Sequence, residues 1–348
     1  MKLIDRLIRI LRGSPKTLWE ILDLWPYTIR ELFEALRHLY TRRYITAEGG
    51  LIKIAPEMDI TKGSSPLNFK ASLCPLCNGK RVDTEELQDL LETYKTLIDR
   101  RPKPLGRYYQ GFILPEDVVA RVLFMQLNDD LENRRIILIG DDDLLSIALG
   151  LTGLPKEITV LDIDDRVGKF IERTAFKENL DITFHRYDVS DPLPEWTLRR
   201  YDVFSSEPLE TISGLKAFLS RGVACLREKG SSGYLGLTTL ETPLKRWLKV
   251  EAMLLKMKCV ITDIVKNFSR YTRDELSGAK IEDLLPFRLK GDERTTLWYK
   301  SSLIRIETLD DFKPLVRWDH PLRVRSMDVE WHLDNPLNPL HQMVKNNR

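Results

Sequence analysis

Only 4 of the 348 residues are cysteine, and only Cys74 and Cys77 form a closely spaced pair, so the chain is not built on disulfides. No apolar run approaches the roughly 20 residues of a membrane span. Met1 to Arg12 alternates charge with Leu and Ile, which excludes the uninterrupted apolar centre of a signal peptide. Neither sign of charge dominates. Lys+Arg 54 against Asp+Glu 52 leaves +2, which gives no general attraction to nucleic acid. These absences make a soluble cytoplasmic enzyme the expectation, and a charged content of 30% fits a thermophile's surface. With 43% hydrophobic residues, the chain can bury the cores of two or three domains.

The most informative stretch is Arg134 to Gly150. Ile136 to Ile139 is a short β-branched run, the mark of a strand buried on both faces of a parallel sheet. Gly140 permits a tight turn, and Asp141, Asp142 and Asp143 follow it. Leu144, Leu145, Ile147, Ala148, Leu149 and Leu151 then fall at helical spacing. A second strand, Glu157 to Asp164, and a helix from Asp165 to Phe176 complete a βαβ unit, so a Rossmann-like, methyltransferase-type α/β sheet is expected. Further strands are expected at Asp181 to Val189, Tyr201 to Ser206 and Gly233 to Thr239, and a closing pair at Thr295 to Lys300 and Ser301 to Thr308. Helices are expected at Glu85 to Arg100, Val118 to Leu127, Leu215 to Leu226 and Lys245 to Met257.

Residues 1–60 carry three short helical patterns and two strand patterns turning at Glu48-Gly49-Gly50, the order of a winged helix. Arg37, Arg42 and Arg43 lie where a DNA reader would want them, but the same module serves as a docking or dimerisation unit in many enzymes, the reading adopted here. Residues 61–95 form a linker containing the Cys74-Pro-Leu-Cys77 pair. It is similar to one knuckle of a zinc ribbon. Zinc needs four ligands, however, and Cys225 and Cys259 fall in the next domain, so no metal is expected in catalysis. The catalytic domain is expected over 96–310, followed by a mobile polar tail over 311–348.

Open parallel sheets bind ligands beyond the carboxyl ends of their strands, beside the first strand. That rule gathers Gly140 to Asp143, Asp162, Asp188, Glu207 and Glu210 at one rim. Asp162, ending the second strand, is placed to accept both hydroxyls of a ribose, with Asp164 the next candidate and Asp188 near an adenine edge. Asp141, Asp162 and Asp164 also suit simple capping and turn roles. An adenosylmethionine methyltransferase usually has a Gly-rich first turn, whereas three acids here would repel the cofactor's carboxylate by about a kcal/mol or more. The same acids suit a cofactor lacking that carboxylate, and a polycationic substrate.

At these residues the chain resembles the branched-chain polyamine synthases, N4-bis(aminopropyl)spermidine synthases. The likeness covers about residues 105–250: Tyr109-Gln110-Gly-Phe, Gly140-Asp-Asp-Asp143, Val160-Leu-Asp-Ile-Asp-Asp-Arg166, Asp191-Pro-Leu-Pro194 and Gly233-Tyr. It implies transfer of aminopropyl groups from decarboxylated S-adenosylmethionine to the central nitrogen of spermidine, releasing methylthioadenosine. It further implies Asp142 as the catalytic residue. Beside it, Asp141, Asp143, Glu207, Glu210 and Gln110 are expected to hold polyamine, and Gly140, Asp162, Asp164 and Asp188 the nucleoside. Two stretches depart from the family pattern. Glu207-Pro-Leu-Glu210 stands where the family usually has Asp-Pro-Pro-Glu, and Tyr109 where it usually has Asp. A homodimer is expected. Two other readings are a methyltransferase acting on nucleic acid and a winged-helix regulator that senses a nucleoside.

Overall fold

Thr17 and Thr28 are each followed three residues later by a glutamate, and both pairs close as reciprocal capping boxes. The Thr17 N–H donates to Glu20 at 2.7 Å and the Thr28 N–H to Glu31 at 2.9 Å. These caps start α2 (Leu18–Leu24) and α3 (Ile29–Thr41), which pack with α1 (Lys2–Leu11) and the hairpin β1 (Ile45–Glu48) and β2 (Leu51–Ile54) around their own apolar cluster. Gly49 and Gly50, at φ +59° and +83°, make the hairpin turn. Lys16 exchanges two backbone hydrogen bonds with Ile52, adding a third short β segment to the module. Leu240, Phe287 and Trp298 of the larger domain enter the same cluster, so the module is seated on that domain.

The computed structural model describes residues 2–56, 73–272, 285–287 and 297–325. Beyond the module come α4 (Gln88–Ile98), α5 (Pro115–Leu127), β3 (Arg135–Ile139), α6 (Leu145–Leu151), β4 (Glu157–Asp162), α7 (Asp165–Glu178) and β5 (Ile182–Arg186). The chain continues through β6 (Val203–Ser206), α8 (Ile212–Cys225), β7 (Ser232–Thr238), α9 (Leu244–Lys256), β8 (Cys259–Arg270) and β9 (Lys300–Thr308). The seven strands form one sheet in the order β5-β4-β3-β6-β7-β9-β8, with β9 antiparallel to both its neighbours. α4, α5, α6 and α7 cover one face and α8 and α9 the other, each over an apolar cluster. The order reverses at β3, so the rim beyond β3, β4 and β6 is the switch point of the sheet.

Three expectations need correction. The last half of the expected closing pair is β9, but no strand precedes it at Leu297 to Tyr299, and Thr295 and Thr296 lie outside the described residues. Its antiparallel partner is β8, a strand missing from the sequence reading because two register shifts, between Ile261 and Asp263 and between Val265 and Ser269, break its alternation. Residues 311–325, assigned to a mobile tail, pack against α8 and the loop after β5. The fully buried Arg221 reaches the carbonyls of Trp318 and His320 at 2.7 Å each, and the Leu322 N–H donates to the Ser190 carbonyl at 2.7 Å.

Candidate active site

Gly140 follows β3 with φ +79°, and a Cβ there would meet nothing within 4 Å, so the glycine serves the backbone turn and not space. The turn is fastened to β4: the Gly140 N–H donates to the Leu161 carbonyl and the Asp141 N–H to Asp162 Oδ2, both at 2.8 Å. Asp162 Oδ1 accepts the Asp164 N–H at 2.7 Å. Asp162 therefore ties two strand ends together while still lining the cleft.

The three acids after Gly140 point to three different tasks. Asp141 is buried, accepts the Ser146 N–H at 3.3 Å and caps the start of α6. Asp143 is buried on the other side, where Oδ1 accepts the Ile113 N–H at 2.6 Å. Only Asp142 of the three faces the cleft, with Oδ2 accepting the Gly111 N–H at 3.1 Å. Burial, then the neighbouring charges of Asp143 and Asp162, pushes the Asp142 carboxyl well above the usual carboxylate range. Burial and Glu207 push Asp143 up to about 7.

The cleft runs across the carboxyl ends of five strands. Asp188 lines it after β5, Asp162 at the end of β4, Asp142 after β3, Glu207 and Glu210 after β6, and Glu241 after β7. At about 4.8 Å per strand step, the row spans about 19 Å. Among the described residues, six carboxylates line the cleft and no Lys, Arg or His does. Tyr108, Tyr109, Tyr187, Phe218, Tyr271 and Tyr299 supply its aromatic walls.

The two glutamates after β6 are held differently. Glu207 receives Arg121 on Oε1, and the Tyr271 hydroxyl donates to Oε2 at 2.9 Å. Glu210 accepts the Thr238 N–H at 2.6 Å and the Thr238 and Thr242 hydroxyls. Burial and the nearby Glu241 raise Glu210 to about 8. Glu241, bonded to Tyr299, is raised by burial to about 6.

Asp164 and Gln110 do not stand free for a ligand. Asp164 starts α7, accepts Arg166 at 2.6 Å and receives Gln110 Nε2 at 3.0 Å. Gln110 Oε1 accepts the Leu105 N–H at 2.8 Å, so this side chain, although at the cleft wall, is occupied in folding the segment carrying Tyr108 and Tyr109 over the site. Burial raises the Asp164 carboxyl, but its bonds with Arg166 and Gln110 outweigh that and hold it low. Asp164 is absent from the cleft wall, and Asp188 turns Oδ1 to the Ser190 N–H at 2.9 Å while lining it. Glu241, Tyr271, Tyr299 and Arg121 escaped the sequence reading. They come from isolated positions on other elements, with no spacing motif to join them.

Cys74 is exposed and Cys77 partly so, and no group of three or more metal-binding side chains occurs among the described residues. No helix among the described residues is long and apolar enough to cross a membrane.

Sheet order and cleft place the molecule in the class of Rossmann-like, methyltransferase-type α/β proteins, here with an acidic cleft. Residues 89–328 match the family model described as the branched-chain polyamine synthase A C-terminal domain, and the chain belongs to that family. It is 36% identical over 303 residues to the N(4)-bis(aminopropyl)spermidine synthase of Thermococcus kodakarensis, covering 85% of this chain and 84% of that protein. The Methanocaldococcus jannaschii enzyme of the same name is 36% identical over 306 residues, covering 84% of each. The branched-chain polyamine synthase of Thermus thermophilus, solved with N4-aminopropylspermidine and 5'-methylthioadenosine, superposes with a TM-score of 0.81 at 30% identity, covering 94% of this chain and 92% of that one.

Proposed function

We propose that the protein transfers aminopropyl groups from decarboxylated S-adenosylmethionine to the central nitrogen of spermidine, releasing methylthioadenosine. The observation that carries this reading is the row of six carboxylates in a cleft wall that, among the described residues, includes no Lys, Arg or His. A polycation is attracted to such a cleft, and a nucleoside cofactor that keeps its own carboxylate is disfavoured. The relatives named N(4)-bis(aminopropyl)spermidine synthase support the same chemistry.

The row divides at Asp142. On the β4 and β5 side, Asp162 and Asp188 stand beside Leu161, Ile163 and Val189, apolar surface for a nucleoside with acids for its hydroxyl and amino groups. On the β6 and β7 side, Glu207, Glu210 and Glu241 stand among tyrosines, suited to ammonium groups on a methylene chain. Asp142 lies between, where donor carbon and acceptor nitrogen must meet. Transfer forms a C–N bond as the C–S bond of a sulfonium breaks. The acceptor nitrogen must therefore lose its proton, and an acid whose pKa burial has raised is a fitting base. Holding both substrates aligned in one cleft supplies much of the remaining acceleration.

The N-terminal helices and hairpin are read as a winged helix used for docking, in a cytoplasmic enzyme that works as a homodimer. Calorimetric titration tests the cofactor assignment. Decarboxylated adenosylmethionine binds at least ~10-fold more tightly than adenosylmethionine, a gap of about 1.4 kcal/mol. Equal affinities contradict the reading and return a methyltransferase to consideration.

A further inference from the structure

α5 buries apolar residues through Val118, Val119, Ala120, Val122, Phe124 and Met125, and Arg121 interrupts this surface with a side chain only 4% exposed. A guanidinium in such a place is costly unless its partners are fixed. Its Nη2 meets Glu207 Oε1 and the Ser269 hydroxyl, the latter at 3.0 Å. The other oxygen of Glu207 is taken by the Tyr271 hydroxyl at 2.9 Å, which in turn lies 3.3 Å from the Ser301 hydroxyl. Beneath the carboxylate is Gly236 of β7. A Cβ at that position would lie 1.8 Å from Glu207 Oε2 and 2.3 Å from Oε1, so only glycine leaves room for the carboxylate where it stands. Three separate elements thus fix one glutamate that lines the cleft.

We propose that Arg121, Tyr271 and Gly236 form a clamp that holds Glu207 in one orientation, and that this orientation determines how tightly the polyamine acceptor is held. The inference rests on the aminopropyltransferase reading for the identity of the acceptor. Arg121 and Gly236 are positioning residues, acting through Glu207. A clamped carboxylate presents its remaining lone pairs in a fixed direction, so a bound ammonium group does not bear the cost of ordering it. Charge alone predicts the opposite effect of removing Arg121, because the cleft would then be more negative and attract a polycation better.

Two substitutions separate the alternatives. Gly236→Ala keeps every charge and displaces the flexible end of Glu207, and its melting temperature should show that the fold is retained. Arg121→Met removes the cation, and Arg121→Lys restores it with a shorter reach. Initial rates should show the spermidine KM raised about 10-fold in Gly236→Ala and Arg121→Met, far beyond any change in the donor KM, with partial recovery in Arg121→Lys. Calorimetry with spermidine alone should show the same loss of affinity, so the clamp is tested even without turnover. A spermidine affinity in Gly236→Ala within about twofold of the parent overturns the proposal, as does a lower spermidine KM in Arg121→Met. Equal rises in both substrates' KM values, with a fallen melting temperature, also overturn it, since that is the mark of a merely structural role. If the parent itself binds no spermidine, the functional reading fails, whereas binding by the parent that Gly236→Ala leaves intact sinks the clamp alone.

Discussion

Replacing Asp142 by Asn removes the basic oxygen while leaving an amide oxygen to accept the Gly111 N–H, now 3.1 Å from Oδ2. The segment over the cleft should therefore keep its position. Asp142 is held in an environment that disfavours its charge, first by burial and then by Asp143 and Asp162. Asn at this position relieves both neighbours of that repulsion, so the melting temperature should be unchanged or higher. Binding of spermidine should fall modestly, because five other carboxylates still line the cleft. Turnover should fall ~100-fold to ~10,000-fold, the usual cost of losing a general base, or about 2.7 to 5.4 kcal/mol of barrier. The assay is kcat at saturating spermidine across pH. A base that is missing cannot be replaced by more substrate, but higher pH supplies more deprotonated amine and should recover part of the rate. Near-normal turnover at saturation would remove Asp142 from proton transfer and shift the role to Glu207 or Glu210. Full rescue by spermidine concentration alone would reduce Asp142 to charge attraction.

The raised carboxyl groups also predict a pH signature. Asp143 at about 7, Glu210 at about 8 and Glu241 at about 6 hold protons in the fold that the unfolded chain has already shed. With more protons bound in the folded state, the ligand-free melting temperature should decline as pH rises from about 5 to about 8. Spermidine reverses the preference by favouring the charged carboxylates. Its affinity should therefore rise from pH 6 to pH 8, with protons released on binding near pH 7, measured by calorimetry in buffers of different ionisation enthalpy; proton uptake would contradict this. Arg221→Leu should cost about 3 kcal/mol or more by stranding the carbonyls of Asp191, Trp318 and His320, and lower the melting temperature by ~6 to ~12 °C. An unchanged melting temperature would mean that residues 317–320 do not depend on this side chain.

The parts legible in the sequence are those in which residue order and spatial neighbourhood coincide. Ile136 to Ile139, Gly140 and the leucines after it form a local pattern, and strand, turn and helix all follow from it. The capping boxes at Thr17 and Thr28 are equally local, although only the structure brought them to notice. The resemblance singled out Asp142, but residue order alone could not assign the separate tasks within Asp141 to Asp143. A turn with Leu144 at φ +59° sends three adjacent side chains to a helix cap, the cleft and the Ile113 backbone. Glu207 was legible as an acid at a strand end, but its clamp joins residues 86 and 64 positions distant in the chain. Gly236 gives no sign in sequence that its missing Cβ is needed by a carboxylate on the neighbouring strand's loop.

Aminopropyl transfer to the central nitrogen is tested most directly by product analysis. The purified protein is incubated with decarboxylated adenosylmethionine and spermidine, and the polyamine is separated against authentic N4-aminopropylspermidine and linear spermine while methylthioadenosine is counted. The account predicts the branched product, with one methylthioadenosine released for each aminopropyl group gained. Linear spermine as the sole product would contradict the assignment to the central nitrogen. Transfer of a methyl group from adenosylmethionine, with no methylthioadenosine formed, would contradict the aminopropyltransferase reading altogether.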